Sequence, residues 1–110
     1  MTDKIVVLSA CASPEEAEVI ARGLVEKRLA ACVNVLPGVR SLYRWKGVVE
    51  DSSEVLLVIK SSRALFNQLR IEIERMHSYE VPEVIAMPVV DGSEPYLEWM
   101  ARELVEEPKS

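Results

Sequence analysis

The stretch Ala31-Cys32-Val33-Asn34-Val35-Leu36-Pro37-Gly38, continued by Val39 to Trp45, decides how this chain folds. Ala31 to Leu36 predicts a strand, and Val39 to Trp45 predicts its continuation. Pro37 cannot donate to a ladder and Gly38 tolerates positive φ, so the pair predicts a bulge, bend or loop within one long extended region. Lys46-Gly47 predicts the reversal, and Asp51-Ser52-Ser53 is a second candidate turn. Glu54 to Lys60 contains Val55-Leu56-Leu57-Val58-Ile59, a strand buried on both faces. Strands this long outrun the core that 110 residues can build, so their edges and apolar faces invite a second chain.

Working outward, Ile5-Val6-Val7-Leu8 predicts a first strand buried on both faces. Ser13-Pro14-Glu15-Glu16 follows with the signature of a capping box: Ser at the N-cap, Pro at the first helical position and Glu three residues after the Ser. The helix places Ala17, Ile20, Ala21 and Leu24 on one face and closes with Lys27 and Arg28. Downstream, Ser61 or Ser62 caps a second helix over about Arg63 to Met76, with Leu65, Phe66, Leu69, Ile73 and Met76 facing inward. His77 to Glu83 has no periodicity and leads into a strand at Val84-Ile85-Ala86-Met87, with Pro88 marking an edge or bulge. Asp91-Gly92 turns the chain, Ser93 caps, and a third helix runs through Leu97, Met100, Ala101 and Leu104. The tail from Glu106 is polar and expected to fray.

The order β-α-β-β-α-β plus a C-terminal helix predicts one α+β domain over residues 1–110. Its architecture is ferredoxin-like, an antiparallel sheet with both crossover helices on one face. The other face carries apolar side chains, and a symmetric homo-oligomer covers it most simply.

Composition narrows the partners. Hydrophobic residues make up 49% and charged residues 28%, a globular balance. Thirteen Lys and Arg against 18 Asp and Glu give a net charge of −5, which disfavours nucleic acid and anionic membrane surfaces. No apolar run approaches the ~20 residues that span a bilayer. Two cysteines without an export signal predict reduced thiols in the cytoplasm.

The motifs then converge on a known family. Arg28-Leu29-Ala30-Ala31-Cys32-Val33-Asn34, Pro37-Gly38 and Ser41-Leu42-Tyr43-Arg44-Trp45-Lys46-Gly47 resemble the CutA divalent-cation tolerance family. So do Glu54, Ile59-Lys60, His77-Ser78-Tyr79-Glu80-Val81-Pro82-Glu83 and Tyr96-Leu97-Glu98-Trp99. Ser78 departs from the Pro usual in bacterial members, and Ser9 to Ser13 differs from the shorter loop of some of them. The resemblance implies a homotrimer similar in architecture to the PII signalling proteins, and a link to tolerance of copper and other divalent cations. It further implies a metal ligand at Cys11, near the end of the first strand, together with His77.

Read without the resemblance, His77 is the sole histidine and sits at a helix end. It is either a partner of the helix dipole or a ligand for copper or zinc, and no HxH, CxxC or HExxH spacing supports the second. Cys32 reads as a small apolar packing residue. Tyr43, Trp45, Tyr79, Tyr96 and Trp99 combine apolar area with a polar tip, which suits either interface packing or a ligand pocket. Lys60, Glu80 and Glu83 are charged candidates, as paired surface charge or as pocket groups. No nucleophile elbow, phosphate loop or dinucleotide fingerprint is present, so no enzyme is expected.

Two functions follow. The first is a non-enzymatic trimeric metal-response protein with no tightly bound cofactor, binding copper(II) or another divalent cation weakly through His77 and Cys11 near an intersubunit cleft. The alternative is a PII-like sensor that binds a small anionic metabolite there, using Tyr43, Trp45, Lys60, Tyr79, Glu83, Tyr96 and Trp99.

Overall fold

The computed structural model describes residues 1–105; the tail expected to fray lies outside them. The elements are β1 (Lys4–Cys11), α1 (Pro14–Glu26), β2 (Cys32–Trp45), β3 (Val48–Ser62), α2 (Phe66–Met76), β4 (Ile85–Pro88) and α3 (Glu94–Glu103). The strands form one antiparallel sheet in the order β2-β3-β1-β4. This is the ferredoxin-like α+β arrangement with an added C-terminal helix.

Alternation along the strands sorts side chains onto two faces. Val7, Cys11, Leu57 and Ile59 point to the helix side and are fully buried against Ile20, Leu24, Leu69 and Ile73. Burying each large aliphatic side chain there contributes about 1.5–3 kcal/mol. Their neighbours Val6, Leu8, Leu56 and Val58 face the other way and stay half-buried, joined by the exposed Ile85 and Met87 of β4. The two strands expected to be buried on both faces are therefore buried on one. Cys32, paired with Lys60, also falls on this open face and is only half-buried, not packed in the core.

The long hairpin follows the expected path with one correction. The register slips between Leu36 and Val39, so Pro37-Gly38 is a bulge with Gly38 at φ 76°. Lys46 and Gly47 take φ 51° and 82° and alone make the reversal, because glycine reaches the left-handed region without a Cβ clash. Asp51, Ser52 and Ser53 do not turn: they pair with Leu42, Ser41 and Arg40 inside the ladder. Arg40 donates to Asp51 through two bonds of 2.9 and 2.7 Å, which fixes a polar segment in extended form.

Helix starts differ from expectation in chemistry more than in place. Ser13 Oγ accepts the Glu16 N–H at 3.2 Å, as a cap should. Neither Ser61 nor Ser62 caps α2: Ser61 Oγ is buried and donates to the Leu29 carbonyl at 2.7 Å, and α2 is entered through a tight 3₁₀ turn, Arg63–Leu65. Ser93 stands before α3 without a side-chain bond, and Ala101 is exposed. Arg28 sits at φ 60° and its guanidinium donates to the Arg102 and Glu103 carbonyls, closing the C-terminus of α3.

Candidate functional site

Two groups of side chains meet where β1 ends. The first lies on the helix side. Cys11 is the last residue of β1, and the chain turns directly into α1, so the first helical turn sits over its thiol. Glu16 on that turn does not send its carboxylate back to the Ser13 N–H, as a full capping box would. Its Oε2 accepts the Ser78 N–H at 3.2 Å instead, and its Oε1 is buried with no hydrogen-bond partner among the described residues.

His77, at the end of α2, completes the group. Its imidazole is fully buried and bonds the Ala10 carbonyl through Nε2 at 2.7 Å. Nδ1 accepts the Tyr79 N–H at 3.1 Å. A backbone N–H can only donate and a carbonyl can only accept, so the ring hydrogen is on Nε2. Nδ1 then presents no hydrogen to Glu16 Oε1, 3.7 Å away: two electron-rich atoms face each other. Donor atoms of Cys11, Glu16 and His77 all lie within 4.8 Å of one another. Burial, reinforced by the negative charges of Glu16 and Glu54, pushes the Cys11 thiol up to about 12.

The second group lies on the open face. Tyr43 and Trp45 of β2, Glu54 of β3 and Tyr79, Glu80 and Glu83 of the loop between α2 and β4 line a cavity of about 670 Å³. The Tyr79 hydroxyl donates to Glu54 Oε2 at 2.7 Å, and its ring lies 4.8 Å from that of His77, so Tyr79 ties the two groups together. Its hydroxyl is held well above the ordinary tyrosine range by burial first and by the bond to the Glu54 carboxylate second. A larger groove of about 740 Å³ between α1 and β2 is lined by Val25, Val33, Val35 and Pro37 and contains no cysteine, histidine or aromatic ring.

The structure thus brings Cys11 to His77, and Tyr43, Trp45, Tyr79 and Glu83 to one cavity. It does not bring the remaining candidates there within one chain. Lys60 lies six residues along β3 from Glu54, roughly 20 Å of strand, and donates to Asn34 Oδ1 on the open face. Tyr96 and Trp99 pack against each other on α3, ring centroids 5.5 Å apart and planes tilted by 34°. Glu16 and Glu54 join these groups without having been assigned to a site from the sequence. Glu16 fits the capping code so well that it reads as a cap, and Glu54 carries the family resemblance at the head of an apolar strand without a role attached.

A ferredoxin-like α+β subunit with cysteine, carboxylate and imidazole donors converging at the end of its first strand is the class of protein defined so far. Residues 5–103 match the profile of the family described as CutA1 divalent ion tolerance protein. The divalent-cation tolerance protein CutA of Thermus thermophilus is 45% identical over 95 residues, 86% of this chain and 92% of that one. Protein CutA, chloroplastic, of Arabidopsis thaliana is 44% identical over 96 residues, but the chain spans only 53% of its length. The crystal structure of CutA from Xylella fastidiosa superposes with a TM-score of 0.92 at 39% identity, covering 94% of this chain and 100% of that one. The chain belongs to the CutA1 divalent ion tolerance family. No helix among the described residues is long and apolar enough to cross a membrane.

Proposed function

We propose that this chain is a non-enzymatic metal-response protein that binds copper(II), or another divalent cation, weakly through Cys11, Glu16 and His77. The observation that carries this reading is the buried Glu16 Oε1, without a hydrogen-bond donor and facing the lone pair of His77 Nδ1 at 3.7 Å. An unpaired buried carboxylate oxygen is costly, and a cation beside it removes the cost. Thiolate, imidazole and carboxylate form a borderline-soft set that suits copper and zinc. Bound there, the metal would be a reporter of its own concentration, with Cys11, Glu16 and His77 as ligands.

Weakness follows from the same geometry. The Cys11 thiol keeps its proton at neutral pH, so a metal must displace that proton. One ring nitrogen of His77 must also give up the Tyr79 N–H or the Ala10 carbonyl. A site that works through an unoxidised thiol fits a reducing compartment, the cytoplasm.

In this reading the working form is a homotrimer. Val6, Leu8, Leu56, Val58, Ile85 and Met87 leave one sheet face incompletely covered in a single chain, and neighbouring copies finish it. Lys60, Tyr96 and Trp99, distant from the cavity of their own chain, would meet a neighbour's. Within one chain the lining of that cavity favours a cation over the anionic metabolite, since it holds Glu54, Glu80 and Glu83 and no lysine or arginine; an anion would depend on a neighbour's Lys60.

The test is a copper(II) titration followed through the imidazole resonances of His77, unambiguous because the chain has one histidine. Saturation at one ion per chain is expected, with the response lost in His77→Ala and at least tenfold weaker in Cys11→Ala. Undiminished saturable binding by His77→Ala contradicts the reading.

A further inference from the structure

We infer that the open-face cavity is a binding site for the head of a primary alkylammonium, distinct from the metal site on the helix side. Glu54 is the anchor. It is 6% exposed, yet among the described residues no lysine or arginine pairs with it and Tyr79 is its hydrogen-bond donor. A neutral hydroxyl donor leaves the charge of so buried a carboxylate uncompensated, and among the described residues no cation of the same chain offsets it. The walls meet that need in a particular way. Tyr43, Trp45 and Tyr79 offer aromatic faces, which attract an ammonium, and Glu80 and Glu83 add negative charge.

A second, independent feature is that the chain already places one ammonium at this rim. Lys46 Nζ lies 5.8 Å from the centroid of the Trp45 ring and 4.0 Å from Glu80 Oε2. It is a tethered example of the chemistry the cavity selects, stopping short of Glu54. The three carboxylates also do not converge as metal ligands do: among the described residues only Cys11, Glu16 and His77 form such a cluster. A spread of carboxylates and rings over about 670 Å³ suits an extended organic cation better than a bare ion. Two sources offer this head, a free amine or a lysine of a second copy of the chain, for which Lys60 on the open sheet face is the candidate.

The probe is 1,5-diaminopentane, titrated into the full chain in a Trp99→Phe background so that Trp45 alone reports by fluorescence. Pentane-1,5-diol and glutarate serve as neutral and anionic controls. Saturable binding of the diamine, at least tenfold weaker in Glu54→Gln and absent for both controls, supports the site. Glu54→Gln keeps an acceptor for the Tyr79 hydroxyl, and its thermal melt verifies the fold. Binding by the parent chain identifies a free amine as the source, whereas binding only after Lys60→Gln identifies the neighbour's lysine. Cys11→Ala should weaken the metal response at least tenfold and keep diamine binding within twofold, which separates failure here from failure of the metal reading. The inference is overturned if the diol or glutarate binds as well as the diamine, if Glu54→Gln binds equally, or if neither the parent chain nor Lys60→Gln responds.

Discussion

Val7 and Val6 are the same residue on the same strand, one fully buried and the other only partly. The same split separates Leu57 from Leu56 and Ile59 from Val58. The side chains are of one kind, so composition does not explain the difference; cover does. Helices α1 and α2 close one face of the sheet, and no described element closes the other. The covered face holds the core and the Cys11–Glu16–His77 group, enclosed by one chain. The open face holds the Glu54 cavity and the apolar patch, and it is where a second molecule has something to gain.

The largest expected effect separates the faces by stability. Leu57→Ala removes a side chain with no exposure and should cost about 2–5 kcal/mol in urea unfolding. Val58→Asp, one residue along, should leave the circular dichroism of the chain intact and, in the proposed homotrimer, raise the concentration at which copies separate at least tenfold, read by sedimentation. If both substitutions unfold the subunit alike, the faces are not different in kind.

Next in size is the pH dependence of metal affinity. The thiol of Cys11 is raised to about 12, so between pH 6 and pH 8 the metal-free protein holds the proton that a bound metal displaces. Affinity should therefore rise with pH, by roughly tenfold per unit when one proton is released. Cys11→Ala should flatten that slope; a parent chain with no slope would separate the thiol from the metal.

The smallest effect lies away from both sites. Glu72 bonds Arg75 and Lys27, in that order of weight, and its carboxyl falls from 4.5 to about 2. A lowered folded pKa adds stability above about 4.5 that is lost as pH falls toward 2. The pairs are partly exposed to solvent, so Glu72→Gln should shallow the acid-denaturation curve only slightly, most visibly at low salt.

The order of elements was legible because its signals are local. Pro37-Gly38, Lys46-Gly47 and Ser13-Pro14 act through φ and through bonds spanning a few residues, and each sits where the sequence places it. What escaped was set by partners distant in the chain. Asp51 to Ser53 has turn vocabulary, but pairing with Arg40 to Leu42 outweighs it. Glu16 satisfies a local capping rule, and only a neighbour 62 residues away, Ser78, draws its carboxylate toward His77. The pairing of Cys11 with His77 came from family resemblance, since no sequence spacing joins them. Lys60 is a candidate for a cleft between subunits, and strand length keeps it away from the Glu54 cavity of its own chain.

The central claim is that a cation binds between the Cys11 thiolate, the Glu16 carboxylate and the His77 imidazole. Calorimetric titration with zinc, which cannot oxidise the thiol, in buffers of different ionisation enthalpy counts the protons released on binding. The account predicts one zinc per chain and about one proton released per zinc at neutral pH. Zinc bound with no proton released, and with the same affinity after Cys11→Ala, would contradict it.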